Sequence, residues 1–257
     1  MTSKIRRSQF KTFLNTATPA APTWVLLGDG VTAAAIGYNP KVTEETYITN
    51  DSASISVESY APKMPVEGAA KKGDPAYNFI DSMRKDRDVL AAAEAEVTNV
   101  WLYETMVDGF YPAERQAVAI SIEEFGGEGG IAARAKYTVN FVGAPEIGIF
   151  NPSGTPEFDG KPVTTILTTM VIGAVTLTPL FATDKTNLLY TGSVPNGTST
   201  VSMTSTLAGS TIVQKCNGTT VGQGANATLI VGVNHLTIQV TVAAEVTTYH
   251  IDITRAP

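Results

Sequence analysis

GDPAYNFIDSMRKDRD (residues 73–88) and EFGGEGG (residues 124–130) are the stretches whose reading decides the fold of this chain. The first predicts a short helix. Asp74 can accept from the unpaired N–H groups of a first turn, and Pro75 fits there because its missing N–H costs nothing. Ala76, Phe79, Ile80 and Met83 share one face at helical spacing. Asp81 precedes Lys85 by one turn, the favourable order, and Arg84, Lys85 and Arg87 lie near the negative end of the dipole. A helix so short and one-sided must lie on a sheet. The glycine-rich stretch sits between two alternating runs and predicts a hairpin turn.

The alternating runs lie on both sides of that turn. Val118, Ile120 and Ile122 oppose Ala117, Ala119, Ser121 and Glu123, and Ala135, Tyr137, Val139 and Phe141 oppose Arg134, Lys136, Thr138 and Asn140. Further upstream, Ala53, Ile55 and Val57 oppose Ser54, Ser56 and Glu58. Each run offers an apolar face and a polar one, as a sheet with one wet side requires. VTNVWLY (residues 97–103) is apolar on both faces and predicts a more buried strand, and residues 44–49 are a weaker strand candidate.

The chain has 257 residues and a formal net charge of −6, enough length for two cores and too little positive charge to grip DNA or anionic lipid. The one dense basic run, Lys4, Arg6, Arg7 and Lys11, reads as a solvated arm. Cys216 is alone, which excludes an intrachain disulfide and a cysteine-built metal site. No long apolar core follows the first charges and no window approaches about eighteen apolar residues, so neither a secretory leader nor membrane insertion is expected.

Charge thins abruptly after residue 156, where threonine becomes abundant, and the junction NPSGTPEFDGKP (residues 151–162) is rich in proline and glycine. Two domains are expected, residues 1–158 and residues 159–257. The second is a ladder of short strands, with Leu236, Ile238, Val240 and Val242 alternating with polar residues, and Tyr249, Ile251 and Ile253 doing the same. Asn196-Gly197 and Asn217-Gly218 predict hairpin turns. No helix is expected there.

Enzymatic chemistry finds little footing. Gly28-Asp29-Gly30 and the Gly126–Gly130 cluster lack the Lys-Ser/Thr of a nucleotide loop. Glu123 and Glu124 are adjacent on a strand and so point to opposite faces, which spoils a shared carboxylate site. His235 and His250 both lie in the threonine-rich half, and His250 alternates with core residues and is expected at the surface. No nucleophile elbow and no paired-histidine motif occurs, so no enzyme activity and no cofactor or metal is expected.

Residues 73–104 and 111–150 together resemble the major tail tube proteins of long-tailed, non-contractile bacteriophages. The resemblance rests on an ordered set: the Asp-Pro helix, Tyr111-Pro112-Ala113, the small-residue strand, the Gly-Gly-x-Gly-Gly turn and the Asn140-Phe141-Val142-Gly143-x-Pro145 ending. LTPLF (177–181), NLLYTGSVP (187–195), GVNHLTIQVTV (232–242) and TTYHIDITR (247–255) resemble the cadherin-like, immunoglobulin-type β-sandwich. The fold class these resemblances imply is mainly β: a tail-tube sandwich or barrel domain with one flanking helix, followed by an immunoglobulin-like sandwich.

The resemblance also implies a role. Tail tube subunits form hexameric rings, each lending four strands to a shared inner barrel, and the rings stack into a tube that conducts DNA. A barrel so wide leaves an aqueous channel. Ser54, Ser56, Glu58, Ser121 and Glu123 are candidates for the lumen wall, where an acidic surface would let DNA slide without specific binding. Arg134 and Lys136 share that face and are expected to pair with nearby acids. The stretch holding Pro62, Lys63, Met64, Pro65, Glu67, Lys71 and Lys72 is expected to be a loop that reaches the next ring, and deletion of Met64 to Ala70 is expected to spare folding but abolish stacking. Partners implied are further copies of the chain, a tape measure protein and tail terminator or tip proteins, in a virion tail assembled in the host cytoplasm. The sandwich is expected to project outward. The alternative readings are an exported surface adhesin or glycan-binding sandwich, and the tube of a contractile injection machine.

Overall fold

The computed structural model describes residues 4–46, 48, 52–160, 166–173, 175–181 and 187–257. The chain divides into two compact units. One comprises Lys11–Asn99 and Arg115–Pro145, the other Met1–Phe10, Val100–Glu114 and Glu146–Pro257. The fold is mainly β, with a curled half-barrel sheet and a C-terminal sandwich.

The half-barrel is built from β1 (Phe10–Asn15), β2 (Trp24–Leu26), β3 (Val31–Ala34), β6 (Lys63–Ala69), β7 (Glu94–Trp101), β8 (Tyr111–Gly126) and β9 (Arg134–Asn151), while β4 (Pro40–Glu45) and β5 (Ser54–Tyr60) pair only with each other. The order across the sheet is β2–β1–β7–β8–β9–β6–β3. Helix α1 (Pro75–Asp86) lies where its apolar stripe predicts: Ala76, Ile80 and Met83 are buried in one cluster with Leu14, Met64, Val97, Val118, Ile120, Tyr137 and Val139. Asp74 caps it, its carboxylate accepting from the Tyr77 N–H at 2.7 Å. Asp81 holds Arg84 at 2.8 Å and Lys85 at 2.6 Å. At the other end Arg87 takes the left-handed conformation, which stops the helix.

Strand β7 is buried through Val97, Thr98, Asn99 and Val100, as its two apolar faces predict. The glycine turn connects β8 to β9, with Gly126, Gly127 and Gly130 all at positive φ, a region that side chains avoid. The strand candidate at residues 44–49 is met by β4 through Glu44 and Glu45; Tyr47 and Thr49 lie outside the described residues, as do Lys161 and Pro162 of the expected linker.

Two expectations are corrected here. Residues 62–72 are not a loop. Lys63–Ala69 form β6, an inner strand bonded to β9 on one side and β3 on the other, and Met64 and Val66 are buried. The prolines misled: Pro65 stands opposite Thr138 with its ring outward, and alternation runs through it undisturbed. The run at residues 53–58 has no buried face. Ile55 is 68% exposed and Val57 52%, because β4–β5 is a separate two-stranded arm with nothing of the described chain against it.

The sandwich holds β11 (Thr169–Ile172), β13 (Thr200–Thr206) and β16 (Asn226–Thr228) in one sheet. The other runs β12 (Leu189–Val194), β18 (Glu245–Arg255), β17 (Gly232–Val242), β14 (Thr211–Cys216) and β15 (Thr219–Val221). Strand β10 (Glu157–Gly160) pairs with the end of β9. Leu236, Ile238, Val240, Tyr249, Ile251 and Ile253 fill the core between the sheets, and Tyr190, Phe181 and Tyr249 pack ring on ring within it. Asn217-Gly218 turns β14 into β15, both residues at positive φ, a hairpin of the predicted kind. Asn196-Gly197 differs. It turns the chain from β12 in one sheet to β13 in the other, and Arg255 donates to the Asn196 carbonyl at 2.9 Å, so it is a crossover between sheets.

Candidate functional site

The surface on which the sequence places function divides in two. Strands β8, β9 and β6 lie side by side, and their outward residues make one polar face. Along β6 and β9, Lys63 stands opposite Asn140, Pro65 opposite Thr138 and Glu67 opposite Lys136. On β8 the matching residues are Ser121 and Glu123. Asn140 Nδ2 donates to Ser121 Oγ at 3.2 Å and to the Ala119 carbonyl at 3.0 Å, while Thr138 Oγ1 donates to Glu123 Oε1 at 2.5 Å. The fold thus gathers Ser121, Glu123, Lys63, Pro65 and Glu67 onto one surface.

Two cations of this face, Arg134 and Lys136, are paired. Arg134 donates to Glu67 at 2.6 Å and Lys136 to Glu124 at 2.9 Å. Hydrogen bonding to Glu124 holds the Lys136 ammonium above its ordinary range. The face is therefore a cross-bonded lattice of both charge signs rather than a plainly acidic one. Asn140, Thr138 and Lys136 were legible as outward positions by alternation, but their pairing across strands was not, and Glu67 was expected in a loop.

The structure places Ser54, Ser56 and Glu58 elsewhere, on the β4–β5 arm. Glu58 is held by Lys41 at 2.5 Å and by the Thr43 hydroxyl, and these bonds, Lys41 first, keep its carboxyl below the usual range. Val42 stands opposite Val57, and Glu44 opposite Ile55, so Val42, Val57 and Ile55 share one side of the arm. Tyr38 and Tyr60 meet edge to face at its base, with ring centroids 6.4 Å apart. Of the remaining candidates, Pro62 accepts from the Phe141 N–H at 3.1 Å, Met64 is in the core, Lys71 holds Asp29 at 2.5 Å, and Lys72 is exposed.

One cluster escaped the sequence reading. His250 is not on the surface but 6% exposed, beneath the turn Val107–Phe110; its ring lies 4.3 Å from that of Phe110 and its Nδ1 is 2.9 Å from Asp108 Oδ2. Alternation correctly turned it away from the sandwich core, but a second layer covers that side. His235 Nδ1 lies 2.6 Å from Asp252 Oδ1 and 3.4 Å from Asp108 Oδ1. The His235–Asp252 pair was findable, since counting back from the Ala243-Ala244 turn sets them opposite one another. Asp108, 142 positions from His250, left no such signal.

Elsewhere the chemistry is quiet. Burial pushes the Cys216 thiol up, and its Sγ lies 3.5 Å from the Thr228 carbonyl. Among the described residues no three His, Cys, Asp or Glu side chains are grouped to hold a metal ion, and no helix is long and apolar enough to cross a membrane.

Comparison with known proteins gives one family match. The profile of the cadherin-like beta sandwich domain fits residues 172–256. No curated protein matches the chain. The matched span runs from the end of β11 to the end of β18, the two-sheet body described above. Residues 172–256 are accordingly a cadherin-like β-sandwich domain.

Proposed function

We propose that this chain is a structural subunit of a phage tail tube, in which copies join their curled sheets around a DNA-conducting lumen and carry the cadherin-like domain as an addition. The observation that carries this reading is the pairing of an open, curled sheet with a polar face on which Arg134 and Lys136 are already occupied. An open sheet leaves strand edges that another copy can complete. A wall in which Arg134 and Lys136 each hold a carboxylate releases few counterions to a passing duplex, so DNA gains little by sticking.

The arm supports the same reading. A two-stranded hairpin alone is marginal in water, and this one exposes Val42, Ile55 and Val57 together. In a stacked tube this arm, rather than residues 62–72, is the segment that reaches a neighbouring ring. Within the sandwich, Phe181, Tyr190 and Tyr249 are buried, which leaves them no role in stacking on sugars.

Electron microscopy with light scattering tests the proposal. The full chain is expected to form rings or filaments, and the double variant Ile55→Asp, Val57→Asp to remain folded while losing stacked assemblies. A stable monomer that binds cell wall would instead establish the adhesin reading.

A further inference from the structure

The chain's two histidines meet at one place. Asp108 links them. Its Oδ2 is 2.9 Å from His250 Nδ1, its Oδ1 is 3.4 Å from His235 Nδ1, and its own N–H donates to Asp252 Oδ2 at 3.2 Å. These contacts tie the turn Val107–Phe110, closed by backbone bonds between those two residues, to β17 and β18. The bonds are side-chain bonds from ionisable groups on both partners, and that makes the attachment sensitive to protons.

We propose that His235, His250 and Asp108 form an acid-closed latch, which holds the Val107–Phe110 turn against β17 and β18 and loosens as the imidazoles lose their charge. An imidazole changes charge within the range from about pH 5 to 8. When both are charged, two cations lie among Asp108, Asp252 and the more distant Asp159. When both are neutral, each ring keeps a single N–H for these contacts. His235 Nδ1 then faces both Asp252 and Asp108 with one proton, and the two carboxylates oppose each other across it.

The other charged groups around the latch are mostly carboxylates. From β10 come Asp159 and Glu157, and from β9 Glu146, all carboxylates. Burial pushes the Asp159 carboxyl up to about 6, opposed by His250 and reinforced by Glu157 and Glu146. Lys215, on β14, stands opposite Thr237, two positions along β17 from His235. Strand β12 sets only Leu189 and Thr191 opposite His250 and Asp252. Acid therefore adds positive charge or removes negative charge at a site dominated by carboxylates.

Hydrogen exchange read by mass spectrometry on the full chain tests the latch. Protection, corrected for intrinsic exchange, is compared at pH 5.5 and 8.5 for peptides covering residues 104–112. The wild type is expected to be more protected at the lower pH, by about tenfold for each pH unit over which opening the turn displaces one proton. His235→Gln, at a half-exposed position, and Asp108→Asn are both expected to flatten that ratio towards one. Equal protection of the wild type at the two pH values would overturn the latch, as would an undiminished ratio in a folded His235→Gln variant. Should either variant fail to fold, the ratio is read instead in Asp159→Asn, where it persists if the imidazoles close the latch and vanishes, overturning it, if Asp159 alone supplied it.

Discussion

Met64 and Val139 stand opposite one another across β6 and β9, and both are shut off from solvent. Their contact makes β6 part of the half-barrel core. Met64→Ala is therefore expected to destabilise the protein by about 2–5 kcal/mol through lost transfer energy and the cavity left behind. Urea denaturation measures it. A loss below about 0.5 kcal/mol, the range of an ordinary surface change, would return residues 62–72 to the status of a loop.

Asp74 carries a second, smaller contribution. Its carboxylate satisfies one N–H that the first helical turn cannot pair internally. Asp74→Ala is expected to cost about 1 kcal/mol, and Asp74→Ser to restore most of it. Equal thermal midpoints for all three proteins would show that the cap contributes nothing.

Asp159 makes stability depend on pH. Burial raises its folded value to about 6 from an ordinary 3.8, so the folded chain binds this proton more tightly than the unfolded one. Stability from this group grows as pH falls through about 6, levels off near 3.8, and is missing above 6. The difference of about two pH units is worth at most about 3 kcal/mol. Asp159→Asn is expected to raise the thermal midpoint at pH 8 and to leave it unchanged near pH 4. A midpoint that falls equally at both pH values would mean that the carboxylate is needed in its charged form.

Local rules read the chain well wherever one layer covers another. The capped helix, the glycine turn, the buried strand at Val97–Val100 and the alternation of Leu236, Ile238 and Val240 all follow from nearest-neighbour chemistry and period. The misreadings share a cause. Pro65 lacks a ladder donor and lies in the stretch expected to be a loop, yet β6 accommodates it with its ring on the polar face. Ile55 and Val57 alternate as core residues do, yet among the described residues no second layer covers them. His250 alternated as a surface residue does, yet the Val107–Phe110 turn lies over it.

By itself the order of residues determined the mainly β character, the single helix with its cap, the Asn217-Gly218 hairpin and which side of each strand is apolar. Those features depend on groups within a few positions of one another. Tertiary structure alone decided which apolar sides are covered, that β6 is an inner strand, and that Asp108 joins two histidines far along the chain. Alternation tells a strand which of its sides differ. It carries no information about what arrives from a distant segment to cover them.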